Sequence, residues 1–287
     1  MGFIIAGLFG DYETAEMLGE VALEMFDRMD TQVSESRTRT LSYFLTFHWR
    51  RPMLSISGPL QSTYRIGMAA GDVESAIFAL QSFFELSFYC GERVDVLEQR
   101  ASSGSKIMKD MQKKNSNDMM DMYQQTMLNL QGVSEHTITL SGENFDEATV
   151  LVTTGQAKDK NELFLESITL GAKLMLACVF SDYQSGADIA MRHIDVVIKQ
   201  FLGSCRLYLW GSIGGICCYA AASRPSSKRQ KYLKTARKCR KMIKQWSSSG
   251  NPNCRHMPEI LDAEDQWCRG KTNKAIATYH SAIELSK

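Results

Sequence analysis

The chain has 287 residues, enough for one large domain or two of ordinary size. Its 44% hydrophobic and 23% charged residues are the balance of a folded protein with ample core. A formal net charge of +1 excludes a global electrostatic pull toward nucleic acid or an anionic membrane. With five prolines, and runs rich in Ala, Leu, Met and Glu, the composition favours helix.

The chain opens on an apolar stretch, Met1 to Phe9, with no basic flank. It is too short to span a bilayer and lacks the parts of a secretory signal. It reads as the inner helix of a first repeat that begins abruptly, as a segment of a longer protein would, with the cytoplasm as the expected address. Gly10-Asp11-Tyr12-Glu13-Thr14-Ala15 follows, and versions of it return at Gly71-Asp72-Val73-Glu74-Ser75-Ala76, Ser181-Asp182-Tyr183-Gln184-Ser185-Gly186 and Gly270-Lys271-Thr272-Asn273-Lys274-Ala275. Each lies between segments of helical period. A Gly can take the left-handed conformation that closes the first helix, the following Asp caps the second, and a small residue sits where the two backbones approach. The structural turns are therefore placed at Gly10, Asp11, Gly71, Asp72, Ser181, Asp182 and Gly270.

Between the turns the apolar spacing predicts helices in chain order. One runs from Asp11 to Met29, with Ala15, Leu18, Ala22, Met25, Phe26 and Met29 on one stripe. After a polar link from Asp30 to Ser36 comes a helix over Thr38 to Arg50, punctuated by Pro52 and Gly58-Pro59. Helices follow over Leu60 to Ala70, Val73 to Tyr89 (halted by Gly91), Arg93 to Lys113 and Asp118 to Leu130, the last two joined by a capped turn at Lys113 to Asn117. Methionines 108, 111, 119, 120, 122 and 127 crowd this hairpin at core-filling spacing. Residues 134–145 have no helical period and contain the only clear β-branched alternation, Thr137 to Leu140. They divide the chain into helical repeats at 1–133 and 146–287, expected to form one continuous solenoid.

Beyond them the reading is helix over Asp146 to Gln156, Asn161 to Phe180, Ala187 to Leu202 and Arg206 to Ala222. The last carries Gly211, Gly214 and Gly215 for close packing. A basic amphipathic helix, Lys228 to Trp246, precedes the final pair, Pro258 to Arg269 and Lys271 to Ser286, with Ala275, Tyr279, Ala282 and Ile283 inward. The fold expected is all-α, a degenerate TPR-like α-solenoid of antiparallel helix pairs. Its turns are spaced too unevenly for a consensus array of about 34 residues per repeat.

No motif carries chemistry. Gly270-Lys271-Thr272 is the tail of a phosphate-loop signature, but Asp265 stands where that signature needs its first glycine, and a helix precedes it. Gly211 to Gly215 lacks the strand and acidic residue of a dinucleotide fingerprint. Cys239, Cys254, His256 and Cys268 lack the short paired spacing that anchors zinc, and adjacent Cys217 and Cys218 point to different helix faces. The eight cysteines, at irregular spacing, read as reduced and buried. His193, beside Ile189, Ala190 and Val197, reads as an interior histidine. No catalytic, metal or cofactor-binding residue is assigned. The enzyme alternative is a helical domain using His193 or His256.

The segment from Arg224 to Lys244 contains no acid. With Tyr232, Leu233, Ala236, Cys239 and Ile243 buried, its cations form an outer face, and Lys228, Arg229, Lys231, Lys234, Arg237, Lys238 and Lys241 are the candidate interaction surface. With no RNA-binding aromatics alongside and a near-neutral chain overall, a solvated face or an acidic protein or peptide partner is favoured over nucleic acid, which is the alternative. No membrane partner is expected.

From Lys231 onward the order of residues is a basic helix ending in Trp246, a link with Asn251 and Asn253, and Leu261-Asp262-Ala263-Glu264. It continues through Arg269-Gly270, Ala275, Tyr279 and Ala282-Ile283. Together with Gly71 to Ala76 and the Gln124 to Leu130 stretch, this resembles the tetratricopeptide-like region of large signalling multi-kinases. Those proteins join a Ser/Thr-kinase-like domain, an AAA-type ATPase, helical repeats, and GAF and histidine-kinase or cyclase modules. The link Cys254-Arg255-His256-Met257-Pro258 departs from the family's aromatic-rich pattern. The resemblance implies the scaffold part of such a protein, binding adjoining domains or a peptide, and supplies no catalytic residue.

Overall fold

At Gly71 the backbone takes φ 74°, a conformation that crowds a Cβ against the following carbonyl and that glycine adopts freely. The turn lets the Asp72 amide reach back to the Gly67 carbonyl at 2.9 Å, closing one helix. The Asp72 carboxylate accepts from the Ser75 amide at 3.2 Å and opens the next. The same device operates at Asp11, which accepts from the Thr14 amide at 3.0 Å, and at Asp182, which accepts from the Ser185 amide at 3.1 Å. Ser181 holds φ 61° although it carries a side chain. After Gly270 (φ 73°) comes Lys271, which makes no side-chain cap.

Five residues beyond each left-handed position stands a small buried residue: Ala15, Ala76, Gly186 and Ala275. Four residues before the first three stand Ala6, Gly67 and Ala177, also buried. A Cβ on Gly67 would lie 2.9 Å from the Ala76 Cβ, and one on Gly186 would lie 3.4 Å from the Ala177 Cβ. The helices of these hairpins therefore cross on paired small residues.

The computed structural model describes residues 1–28, 34–151 and 159–287 and, within them, the backbone alone of 114–116. Every regular element among these is helical: α1 (Gly2–Ile4), continued by a π-helical turn over Ile5–Phe9, α2 (Tyr12–Arg28), α3 (Glu35–Leu45), α4 (Met53–Ala69), α5 (Val73–Tyr89), α6 (Val94–Asp110), α7 (Lys114–Leu130), α8 (Glu147–Leu151), α9 (Lys160–Val179), α10 (Tyr183–Gln200), α11 (Arg206–Ala222), α12 (Arg229–Ser248), α13 (Met257–Cys268) and α14 (Thr272–Ser286). Short 3₁₀ turns occur at Phe47–Trp49 and Pro252–Cys254. Extended pairing among the described residues amounts to one isolated bridge, Ser141 with Asp146. The chain is thus all-α, with helices packed chiefly on their neighbours in sequence: α4 on α5, α6 on α7, α10 on α11, α11 on α12 and α13 on α14. No described helix is long and apolar enough to cross a membrane.

Two compact units are formed. The first comprises Met1–Leu165 and Leu202–Cys205. Its core includes Phe44, Trp49, Leu60, Phe84, Leu86 and Leu97, with Met108, Met120, Met122 and Met127 filling the space between α6 and α7. Among the described residues, Asn129 is the side chain that makes the most bonds to the irregular segment after α7, alongside Glu147, which accepts from the Leu140 amide at 2.8 Å. The Asn129 amide donates to the carbonyls of His136, Thr137 and Thr139 at 3.0, 3.2 and 2.9 Å, while its oxygen accepts from Gln125 and Ser134. Carbonyls that no helix or sheet satisfies thereby gain a protein partner.

The second unit comprises Glu166–Phe201 and Arg206–Lys287. Its centre is α11, buried through Leu207, Tyr208, Trp210, Cys217, Cys218 and Tyr219 and half-buried along the stripe of Leu209, Ile213, Ile216 and Ala220. Its glycines matter by their size. A Cβ on Gly215 would stand 2.7 Å from a Leu261 methyl, and one on Gly214 would stand 3.0 Å from the Ala190 Cβ.

Several elements differ from the sequence reading. Helix α4 runs unbroken through Gly58 and Pro59. Met53, Ile56, Leu60 and Thr63 share one buried face, and the Ser55 carbonyl that Pro59 leaves without a helical donor belongs to an exposed residue that water can serve. The turn expected at Lys113 to Asn117 lies earlier, with Gln112 at φ 55°. Asn117 is instead buried inside α7, donating to Asp121 at 2.7 Å. Helix α3 stops at Leu45 and a 3₁₀ turn replaces its last residues. Met25 and Ile283, assigned to inward stripes, are 53% and 54% exposed. Met29, most of the Asp30 to Ser36 link, and the end of the helix read over Asp146 to Gln156 lie outside the described residues.

Candidate interaction surface

Helix α12 buries Tyr232, Leu233, Ala236, Cys239 and Ile243. At about 100° per residue these fall on one side of the helix. The flanks of that side carry cations neutralised from the neighbouring helices. On the α10 flank, Lys228 Nζ reaches both oxygens of Asp188 at 2.8 and 2.9 Å, and Lys238 pairs with Asp195. The Tyr232 hydroxyl also donates to Asp188 at 2.8 Å. Burial pushes the Asp188 carboxyl up, but the bonds from Lys228 and Tyr232 outweigh it and hold the group below the usual carboxylate range. On the α13 flank, Asp262 takes Arg240 and, at 2.7 Å, Lys244. Burial again works against these two cations, and they leave Asp262 below its ordinary value. Arg229 donates from Nε to the Ala222 carbonyl at 2.9 Å, satisfying the end of α11.

Opposite the buried side lie Lys231, Lys234, Arg237 and Lys241, all exposed. At about 100° per residue they spread over about 120° of the outer surface, along about 15 Å of helix. No acid of α12 stands among them. The candidate cations thus separate into a clamped set, Lys228, Arg229 and Lys238, and a solvent-facing row.

The other candidate residues are not gathered into a reaction centre. His193 on α10 is half-buried, and desolvation lowers its imidazole while Glu166 pulls it up. It lines a cavity of about 10 Å³ with Leu170, Gly171, Leu174, Ile189, Ala190, Ile194, Val197 and Trp210. That is room for one water-sized molecule, and no hydroxyl, thiol or carboxylate is on its walls. His256 sits at the start of α13, its imidazole also lowered by burial. Burial pushes the Cys239 and Cys254 thiols up to about 12, the behaviour of inert core residues. Among the described residues no three His, Cys, Asp or Glu side chains are grouped to hold a metal ion. At Gly270 to Thr272, the Gly270 and Lys271 amides bond to the carbonyls of Trp267 and Gln266, both at 2.9 Å, so they close α13 and are not turned to a phosphate.

Sequence reasoning missed the clamps Asp188, Asp195 and Asp262, because the acids come from other helices and no local spacing marks them. It also missed Asn129, whose three acceptors are irregular backbone. No protein-family model matches the chain, and no curated protein or solved structure matches it.

Proposed function

We propose that this chain is a degenerate TPR-like α-solenoid serving as a non-catalytic, cytoplasmic interaction segment of a signalling ATPase or kinase. In this reading it binds an acidic segment of a protein partner or of an adjoining domain along the outer row of α12. The observation that carries the reading is the row itself. Lys231, Lys234, Arg237 and Lys241 face solvent on the outer surface of α12, whereas Lys228, Lys238, Arg240 and Lys244 are matched to Asp188, Asp195 and Asp262. An acidic helix with carboxylates at three- and four-residue spacing has the same pitch and the opposite charge. The hairpin turns at Gly10, Gly71 and Ser181, with their crossings of small residues, support the repeat architecture. The resemblance to the helical region of multi-kinases supplies the signalling context.

The test is fluorescence anisotropy of a labelled helical peptide bearing Glu at such spacing, titrated with the full chain. The variant Lys231→Glu, Lys234→Glu, Arg237→Glu and Lys241→Glu should weaken binding at least about tenfold, the scale of lost charge pairs at an exposed interface. Raising the salt should weaken the wild-type complex. Equal affinity of wild type and variant, with unchanged circular dichroism, overturns the assignment. Tighter retention of single-stranded RNA than of the peptide replaces the protein partner with nucleic acid. Robust nucleotide hydrolysis by the purified chain replaces the scaffold with an enzyme.

A further inference from the structure

The near-neutral total charge conceals two opposed units. The first carries 14 Lys and Arg against 23 Asp and Glu, a net of −9, and the second carries 19 against 9, a net of +10. In the first unit α2 is strongly acidic, with Glu13, Glu16, Glu20, Glu24 and Asp27 against Arg28 alone. It buries Tyr12, Ala15 and Gly19. Opposite them Glu13, Met17, Glu20, Val21 and Glu24 are all exposed, within about 100° of arc and along about 16 Å of helix. Glu16 is turned to the flank, where Arg50 and Arg51 hold it. Arg51 also reaches Glu20, and Glu24 pairs with Arg28 of its own helix at 3.3 Å, but exposed pairs of this kind are weak and exchange readily. Beside these carboxylates runs an uncovered apolar strip of Met17, Val21 and Met25. We propose that this face of α2 is the occupant of the outer α12 row in a second copy of the chain, so that copies associate head to tail.

The inference rests on the reading of α12 as an acid-binding surface and names the acid. Glu13, Glu20 and Glu24 extend over nearly the same length of helix as Lys231, Lys234, Arg237 and Lys241, and α12 contains no acid to repel them. The aliphatic stems of the lysines and the arginine give Met17, Val21 and Met25 an apolar surface to lie on, while the charged ends reach the carboxylates. Around the contact a unit of net −9 meets one of net +10, so the attraction extends beyond the paired side chains and steers the approach. The like-on-like arrangements repel: α2 against α2 sets acid on acid, and α12 against α12 sets cation on cation. In an open pair one α2 and one α12 stay free, so assembly either closes on itself or continues with further copies.

The test is sedimentation velocity of the full chain over a range of concentrations, at low and high salt. Wild type should gain mass with concentration at low salt and lose that gain at high salt. The α12 variant (Lys231→Glu, Lys234→Glu, Arg237→Glu and Lys241→Glu) and an α2 variant (Glu13→Lys, Glu20→Lys and Glu24→Lys) should each stay monomeric. An equimolar mixture of the two should associate, because each supplies the charge that the other has lost. Where either variant loses helicity by circular dichroism, an excess of the acidic helical peptide should dissolve the wild-type assemblies, and assemblies that ignore it overturn the proposal. Wild type that stays monomeric throughout also overturns it, as does a mixture of two folded variants that stays monomeric. So does self-association that survives both reversals, which would assign it to the apolar strip. The labelled peptide separates this failure from that of the broader reading. If the α2 variant binds the peptide while wild type stays monomeric, the second copy alone is excluded. If neither protein binds it, the reading of α12 falls and this inference with it.

Discussion

His48 Nε2 lies 2.8 Å from the carbonyl oxygen of Gly203, 155 residues away in the chain. A carbonyl has no proton to give, so the imidazole donates and the contact fixes the tautomer. The same oxygen accepts from Trp49 Nε1 at 3.2 Å, and Trp49 stacks on Tyr12 at 4.6 Å. Gly203 can present its carbonyl in this way because it holds φ 82°.

His48 makes the first unit sensitive to acid. It is fully buried, and desolvation lowers its imidazole from 6.5 to about 4 in the folded chain, against the raising effect of the Gly203 carbonyl. Between those values the unfolded chain binds a proton that the folded chain refuses. The stability is therefore whole above about pH 6.5 and is lost as the pH falls toward 4, by up to about 3 kcal/mol. Urea midpoints at pH 7 and pH 4.5 should diverge more for wild type than for His48→Gln. An equal loss in the two proteins would remove His48 as the cause.

Gly71 and Ser181 hold the same left-handed geometry with and without a side chain. A Cβ on Gly71 meets nothing within 4 Å, so Gly71→Val tests backbone strain alone and should cost about 1 kcal/mol or more. Ser181→Gly should move the other way, by less than about 1 kcal/mol once the greater freedom of glycine in the unfolded chain is subtracted. Thermal melting of both variants checks the paired signs, and a Gly71→Val melt identical to wild type would exclude the strained turn.

Gly171 faces a rigid neighbour. A Cβ there would stand 2.3 Å from the Trp210 ring, which is 2% exposed and cannot swing aside. Gly171→Ala should therefore destabilise the chain by about 1–3 kcal/mol, the range for overpacking a filled core. Gly58→Ala, with no atom within 4 Å of the new Cβ, should be neutral or slightly stabilising through helix propensity. Calorimetry that ranked the two equally would contradict the packing.

Asn129→Leu should free the segment that follows α7, since one amide serves the three carbonyls of His136, Thr137 and Thr139. These carbonyls belong to exposed or half-buried residues that water can serve, so the loss should be about 1 kcal/mol, the net scale of one hydrogen bond. Hydrogen exchange should quicken over residues 134–147, including the Glu147 amide bonded to the Leu140 carbonyl. Unchanged exchange there would show that Asn129 is not the clamp.

Much of the helical layout was written locally. A left-handed residue, an Asp and a small residue five positions on need only their own neighbours to close one helix and open the next. The same holds for the apolar face of α12, where Tyr232, Ala236, Cys239 and Ile243 repeat with the helical period. Pro59 misled because its local cost is real, while the burial of Ile56 and Leu60 that overrides it comes from packing. Met25 and Ile283 misled for the converse reason: periodicity marks an apolar stripe without saying that anything covers it.

By itself the sequence determined that the chain is helical, where most hairpins turn, and that one helix is strongly basic. Only the tertiary structure decided which of those cations remain facing solvent, because Asp188, Asp195 and Asp262 reach α12 from other helices. It likewise decided that His48 meets Gly203. The physical reason is range: turn and cap energies act over a few residues, whereas the pairing of charges and buried polar groups depends on which helices the packing sets side by side.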